Sequence, residues 1–183
     1  MAIGRVLGAT AVIGAAGLGY SYVEATRRFV VREFEVPVLP ARSRPIRLLH
    51  LSDLHLVPNQ RHKIAWLKSL AELEPDLVVN TGDNLAHPDS VGPLVAALGG
   101  LVNTPGVFVF GSNDYFSPKP KLPTKYLAGG TGVDEVGDWG RPRDLPFEFL
   151  RTELSAGGWL DLNNSRGEWT VNGTRIAFTG VDD

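Results

Sequence analysis

The stretch Arg-Leu-Leu-His-Leu-Ser-Asp-Leu-His, residues 47–55, decides the fold of this chain. The short apolar run Ile46–Leu51 follows Pro45 and is typical of a parallel strand that is covered on both faces. Asp53 and His55 lie just beyond its carboxyl end, the edge at which open α/β sheets bind their ligands. If the backbone is still extended there, both side chains leave on the same side and converge on one cation.

Two later strands are predicted to end in the same way. The apolar runs Leu77–Asn80 and Val107–Phe110 each precede a turn that carries a metal-capable side chain, Asp83 in the first and Asn113 in the second. Asp53, Asp83 and Asn113 are thirty residues apart, which is about the length of one strand-helix-strand unit. A single Asp or Asn favours a turn, but three in register, one beside a histidine, favour a metal site.

The segments between these strands have the pattern of helices. Asn59–Glu74 places its apolar residues mostly on one face and is followed by Pro75. Asp89–Leu98 is the second predicted helix, closed by two glycines. Gly82 and Gly111 are expected to allow the sharp exit that each loop requires. The sequence therefore predicts an α/β fold with a parallel sheet and a site at its carboxyl edge.

Composition narrows the class of protein and the kind of site. With 183 residues, 43% of them hydrophobic, the chain is long enough for one ordinary domain with a real core. The net charge of -2 gives no basic surface, so no nucleic-acid partner is expected. The chain has no cysteine, which excludes disulfides, thiolate zinc sites and cysteine nucleophiles. Any metal must therefore bind to carboxylate, imidazole, amide or water.

Residues 1–28 are predicted to be a hydrophobic leader or membrane anchor, and 29–183 the globular domain. Leu7–Tyr20 is apolar but rich in glycine and alanine, which makes it marginal for spanning a bilayer. A signal peptide, an uncleaved anchor and a helix packed on protein are all consistent with it. More positive charge follows the stretch, at Arg27 and Arg28, than precedes it. This favours a membrane-associated protein whose globular domain lies in the cytoplasm.

Phe116–Pro146 is a long segment, rich in proline, glycine and charge, in which no regular pattern holds. Loops of this length are usually functional or disordered. The segment is either a lid over a phosphate or lipid head group or a solvated excursion. The residues that would form the lid are Lys119, Lys121, Lys125, Tyr126 and Trp139.

Further helices and strands are predicted before residue 46 and after the long segment Phe116–Pro146. Phe29–Leu39 partly alternates apolar and charged residues, which is typical of an edge strand. Phe147–Ala156 has the pattern of a helix. Short strands are predicted at 159–162, 168–171 and 175–179, the last two joined by a tight turn at Asn172-Gly173.

Three short motifs resemble those of a known enzyme family. Asp53-Leu54-His55, Gly82-Asp83 and Gly111-Ser112-Asn113-Asp114 are similar to the D-x-H, G-D and G-N-H-[DE] motifs of the calcineurin-like metallophosphoesterases. The surrounding residues look most like the bacterial membrane-associated branch that includes UDP-2,3-diacylglucosamine hydrolases. The resemblance implies the N-terminal part of a four-layer α/β/β/α sandwich. The family's later motifs carry histidines and this sequence has none after His87, so the domain is expected to be incomplete at its C-terminus.

The resemblance also implies two divalent metal ions, with Asp53 and His55 on the first and Asp83 bridging both. Two such ions together activate a water and clamp the phosphoryl oxygens. Oxygen ligands mixed with imidazole suit manganese, iron or zinc. The ligand set available in this chain predicts weak binding of one ion, negligible binding of the second, and poor turnover or none.

The third motif departs from the family pattern. An alignment without a gap puts Ser112 in place of the metal-binding asparagine, whereas a shift by one residue restores Asn113 as the ligand. Serine is a poor ligand for these metals, which favours Asn113. The shift puts Asp114 at the position of the catalytic histidine, and a carboxyl group there can act as an acid only if its pKa is raised.

The positions of the other three histidines indicate different surroundings. His87, four residues beyond Asp83, is either a catalytic or metal-side group or a solvent-exposed loop histidine. His50 lies within a predicted strand and is expected in the core. His62 begins a polar helical turn and is expected to be exposed.

These features predict a metal-dependent phosphoester hydrolase with a dinuclear site. Its substrate would be a phosphorylated small molecule or lipid, cleaved at a phosphodiester or pyrophosphate bond, possible substrates being lipid-linked or nucleotide compounds. The alternative is a membrane-tethered, non-catalytic domain with a degenerate form of the same fold. The absence of an imidazole in the third motif motivates that alternative.

Deleting residues 1–28 should release the domain into the soluble fraction without changing its metal affinity, because an anchor acts independently of the site. Ultracentrifugation of lysates from cells that express the full and the shortened chain measures this. A full chain that is already soluble, uncleaved and free of detergent would contradict the anchor.

Overall fold

The structure, a computed structural model, describes residues 2–119 and 141–183. By their contacts the residues divide into two units, Met1–Val38 and Leu39–Asp183. The first unit contains helix α1, Ala2–Arg27. Within the described residues, no helix combines the length and the apolar character needed to cross a bilayer.

The edge strand predicted at Phe29–Leu39 is wrong, because these residues form no strand. Val30 and Phe34 are largely exposed, at 67% and 81%. A strand requires a neighbour that pairs with its N–H and C=O groups, and no described residue forms a ladder with this segment. Alternation of apolar and charged residues is therefore not enough to make a strand here.

The second unit is built on a parallel sheet whose four strands lie in the order β1-β2-β3-β4. Leu51 at the end of β1 is opposite Asn80 at the end of β2, so both strands finish at the same level. The predicted α/β fold with a parallel sheet is confirmed. The strands are β1 Leu48–Leu51, β2 Leu77–Asn80, β3 Gly106–Phe108 and β4 Leu160–Asp161.

Strand β1 lies at one side of the sheet and, among the strands that the structure describes, pairs only with β2. The prediction that it is covered on both faces is wrong, since Leu48 is 50% exposed. His50 on the same face is exposed too, so its predicted place in the core is also wrong. The central strands β2 and β3 are buried along almost their whole length, as the apolar runs predict.

Helices connect the strands of the sheet, as the apolar spacing predicts. The fully buried leucines Leu67, Leu94, Leu98, Leu150 and Leu154 come from three of these helices and pack in one core. The helices are α2 Arg61–Ser69, α3 Val91–Leu98, α4 Ser112–Tyr115 and α5 Phe147–Ala156, with short 3-10 helices at Leu70–Leu73, Pro88–Ser90 and Gly99–Asn103.

The last two strands form a separate antiparallel hairpin, β5 Arg166–Val171 and β6 Thr174–Thr179. Asn172 and Gly173 join them with φ of 52° and 80°, which confirms the predicted tight turn. The indole Nε1 of Trp169 donates to the carbonyl oxygen of Gly106 over 2.9 Å, so the hairpin is fastened to β3.

A Gly106→Ala substitution should destabilise the second unit, because a Cβ there would lie 2.5 Å from the buried ring of Trp159. Overpacking of this kind costs about 1–3 kcal/mol. Gly100→Ala is the matched control, since a Cβ at Gly100 meets nothing within 4 Å. Urea unfolding midpoints measure both, and equal midpoints would contradict the close packing.

Candidate metal centre

The loops that follow β1 and β2 run side by side beyond the ends of the strands. The N–H of Asp53 donates to the carbonyl of Gly82 over 3.1 Å, and the N–H of His55 donates to the carbonyl of Asp83 over 2.9 Å. A parallel bridge between Leu56 and Leu85 closes the pair of loops. The parallel pairing of β1 and β2 therefore continues into the two loops that contain the predicted ligands.

Three of the predicted ligands form one cluster at this edge. Asp53, His55 and Asp83 each offer an atom within 4.8 Å of the other two. The Nε2 atom of His55 lies 3.7 Å from Oδ1 of Asp53 and 3.6 Å from Oδ2 of Asp83. The side chain of Asp53 is 67% exposed and that of Asp83 only 20%, so the cluster opens to solvent on the Asp53 side.

The backbone brings these side chains together in a way that the sequence did not predict. Asp53, His55 and Asp83 all have positive φ, at 53°, 39° and 56°. The expectation of an extended backbone at 53–55 is therefore wrong. Left-handed conformations are uncommon outside glycine, although Asp and His adopt them more often than most residues. Each costs on the order of 1–3 kcal/mol and tends to occur at functional sites.

Asn113 lies against the same cluster, at the start of α4. Its backbone N–H donates to Oδ1 of Asp83 over 2.9 Å, and its Nδ2 donates to Oδ2 of Asp83 over 2.9 Å. A half-turn of the amide about χ2 brings its oxygen, the atom that a divalent ion binds, to the place of the nitrogen. The structure thus brings Asp53, His55, Asp83 and Asn113 together.

The two glycines of these loops are required for different reasons. Gly82 has φ of +92°, and a Cβ there would lie 2.3 Å from the backbone nitrogen of Gly111. Gly111 has an ordinary φ of −107°. A Cβ at Gly111 would instead lie 2.3 Å from Oδ1 of Asp83. Gly82 therefore permits the turn, as predicted, whereas Gly111 leaves room for the Asp83 carboxylate.

Asp114, which was predicted to be a catalytic acid, is completely buried behind the cluster. Burial raises the pKa of its carboxyl group to about 6, while hydrogen bonds from the backbone N–H groups of Gly111, Asn84 and Asp83 oppose that rise. A general acid must reach the leaving group directly or through one water. The geometry does not support an acid role for Asp114, because both carboxylate oxygens accept hydrogen bonds from the protein.

The other predicted residues lie away from the cluster. The ring Nδ1 of His87 accepts a hydrogen bond from the backbone N–H of Asp89 over 3.1 Å, and the imidazole is largely exposed. This position favours the loop interpretation of His87. His62 is exposed, as predicted, and so is Lys119. The other lid residues, Lys121, Lys125, Tyr126 and Trp139, lie outside the described residues.

Two members of the cluster, Asp53 and Asp83, line an open cleft. Ser52, Thr81 and Ser112 bring hydroxyl groups to its wall, and Asp182 and Asp183 reach it from the segment after β6. The Tyr115 hydroxyl donates a hydrogen bond to the Asp182 carboxylate. The approach of Asp182 was not foreseen, because nothing in the sequence pairs Tyr115 with a residue so far along the chain.

Comparison with known protein families gives a match that covers this cluster. A family model described as calcineurin-like phosphoesterase matches residues 46–175. Neither the curated proteins nor the solved structures include a significant match to the chain. The narrower resemblance to UDP-2,3-diacylglucosamine hydrolases stays a prediction.

Asp83→Asn should abolish Mn²⁺ binding, because Asp83 is the residue that contacts both His55 and Asn113. His55→Ala should weaken binding by at least about tenfold. Isothermal titration of the metal-stripped chain with Mn²⁺ measures both. His62→Ala, which removes an exposed imidazole outside the cluster, is the control. Parent-like affinity in Asp83→Asn would exclude a central role for that carboxylate.

Proposed function

The chain belongs to the calcineurin-like phosphoesterase family, and from that premise we propose that it hydrolyses a phosphodiester or pyrophosphate bond with two divalent metal ions. Metal-dependent hydrolysis of phosphoesters is what the family implies. One observation carries the proposal to this chain, namely the convergence of Asp53, His55 and Asp83 within 4.8 Å at the carboxyl edge of the sheet.

The donor set fits hard or borderline divalent ions. Carboxylate oxygen combined with a single imidazole suits manganese, iron or zinc. Asp53, His55 and Asp83 would hold the first ion, and Asp83 with Asn113 the second. Two such ions, when bound, supply an activated water and positive charge for the phosphoryl oxygens. Asp83 is central because its carboxylate already contacts groups from both sides, at His55 and at Asn113.

The charge of the cleft makes substrate binding depend on metal. Its wall carries the carboxylates of Asp53, Asp83, Asp182 and Asp183. No lysine or arginine lines it among the residues that the structure describes. An anionic phosphoester would be repelled by this surface. Bound cations must therefore offset the carboxylates before substrate enters, so metal removal should weaken binding as well as turnover.

The side chains around the cluster also restrict the leaving group. General acids typically contribute about 10²–10⁴-fold to rate. The buried Asp114 and the exposed His87 are both absent from the lining of the cleft. A leaving group that is stable as an anion needs no such proton. Phosphate and nucleotide groups released from pyrophosphates are of this kind. This supports a pyrophosphate or an activated diester over a simple alkyl ester.

The apolar leader, residues 1–28, supports membrane association and hence a lipid-linked substrate, with a nucleotide as the second possibility. Both features extend the proposal beyond the cluster itself. Membrane association is inferred from the apolar composition of the leader, and the lipid-linked substrate is inferred in turn from that association.

A large excess of Mn²⁺ should restore slow hydrolysis of bis(4-nitrophenyl) phosphate to the metal-stripped full chain, because the few ligands of the second ion predict weak binding and poor turnover. The unactivated diphenyl phosphate should react more slowly by at least roughly 10²–10⁴-fold, because neither Asp114 nor His87 is placed to assist its poorer leaving group. Release of nitrophenol or phenol, followed with and without Mn²⁺, measures both rates, and Asp83→Asn is the inactive control.

Two outcomes of this assay would contradict the proposal. A chain that binds Mn²⁺ and hydrolyses neither ester nor a pyrophosphate would support the non-catalytic, ligand-binding alternative. Equal rates with both diesters would show that an acid is present and that the leaving-group argument is wrong.

A further inference from the structure

The carboxylate of Asp114 lies fully buried between the loops that follow β2 and β3. Its Oδ1 accepts hydrogen bonds from the backbone N–H groups of Asn84, over 2.8 Å, and Leu85, over 3.3 Å. Its Oδ2 accepts from the backbone N–H groups of Asp83, over 2.8 Å, and Gly111, over 3.1 Å. The Asn84 side-chain amide donates to the same Oδ2 over 3.3 Å. One carboxylate therefore collects donors from both loops.

A second buried side chain completes this arrangement. The Oδ1 of Asn80, which is 1% exposed, accepts from the backbone N–H of Gly82 over 2.9 Å. Its Nδ2 donates to Oδ1 of Asn84 over 2.7 Å. Every backbone N–H from Gly82 to Leu85 thus points to the side chain of Asn80 or Asp114. Among the described residues no buried polar side-chain atom is left without a partner, so the network is complete.

The network acts on Asp83 from the side opposite the cluster. The backbone N–H of Asp83 faces Asp114, while its carboxylate faces forward, 3.6 Å from Nε2 of His55 and in contact with Asn113. The left-handed φ of 56° at Asp83 turns the carboxylate in this direction. Such a backbone conformation persists only where its surroundings hold it. Here the side chains of Asn80 and Asp114 hold it by accepting hydrogen bonds from the successive backbone N–H groups.

We propose that Asp114 is a positioning residue of the metal centre, which holds the Asp83 loop so that the carboxylate of Asp83 stays at the cluster. This rests on the proposed function, because it presumes that the cluster binds metal. It replaces the predicted acid role with one that needs no contact with ion or substrate. Residues behind a ligand shell commonly change metal affinity by about 10–100-fold when they are lost.

Asp114→Asn separates this role from simple packing. The substitution keeps the volume of the side chain but leaves one acceptor oxygen where the carboxylate has two. If the amide nitrogen takes the place of Oδ1, the N–H groups of Asn84 and Leu85 lose their acceptor. If it takes the place of Oδ2, the N–H groups of Asp83 and Gly111 lose theirs. In either orientation the loop is released on one side.

The test is Mn²⁺ affinity in the full, metal-stripped chain, measured by the electron paramagnetic resonance signal of free Mn²⁺. Asp114→Asn should bind Mn²⁺ about 10–100-fold more weakly than the parent. Leu98→Ala, a fully buried leucine in α3 outside the network, is the matched control. Leu98→Ala should lower the urea unfolding midpoint about as much as Asp114→Asn does. It should leave the Mn²⁺ affinity unchanged.

Several results would overturn the proposal. A folded Asp114→Asn chain with parent-like Mn²⁺ affinity would show that the network serves stability alone, and one that also lost hydrolysis would restore the acid role. If Asp114→Asn does not fold, Asn80→Ala leaves Asp114 in place and removes the acceptor of the Gly82 N–H together with the two side-chain hydrogen bonds to Asn84, and unchanged affinity there would refute the network's role. A parent that binds no Mn²⁺ would refute it too. A parent that binds Mn²⁺ without hydrolysing esters contradicts only the proposed function.

Discussion

Hydrogen bonds between the first two strands continue after both strands have ended, and the geometry of the candidate site depends on that continuation. The bonds from Asp53 to Gly82 and from His55 to Asp83 keep two irregular loops in parallel register. A shift by one residue would carry Asp53 away from Asp83 and break the cluster. Because β1 lies at the side of the sheet, these bonds also fix the position of the loop after β1 relative to the loop after β2.

Much of this arrangement could be predicted from the sequence, for a physical reason. Parallel strands are short apolar runs, and their carboxyl ends must meet at one edge, so the spacing of Asp53, Asp83 and Asn113 carries three-dimensional information. Helix α5 and the turn at Asn172-Gly173 were predictable because local propensity alone favours them. The segment at 29–39 was not, since strand formation there depends on a neighbour and not on the segment itself.

The finer structure of the site could not be predicted from the sequence, because it arises from contacts between loops that are far apart along the chain. A glycine such as Gly111 is ordinarily interpreted as a flexible turn, whereas here it leaves room for a carboxylate thirty residues earlier. In the same way, an acidic residue beside a predicted ligand is naturally assigned to chemistry. Only the burial of Asp114 and the five donors around its carboxylate show its structural position.

The left-handed backbone at the three predicted ligands has a consequence for the kinetics and thermodynamics of metal uptake. Their conformation is held by hydrogen bonds within the protein, so the loss of conformational entropy is incurred during folding and not when an ion arrives. Metal binding at such a preorganised cluster requires the ion to shed water but requires little reordering of the chain. The rate of uptake should then follow the exchange of water at each metal, fast for manganese, and be largely independent of the slower motions of the polypeptide.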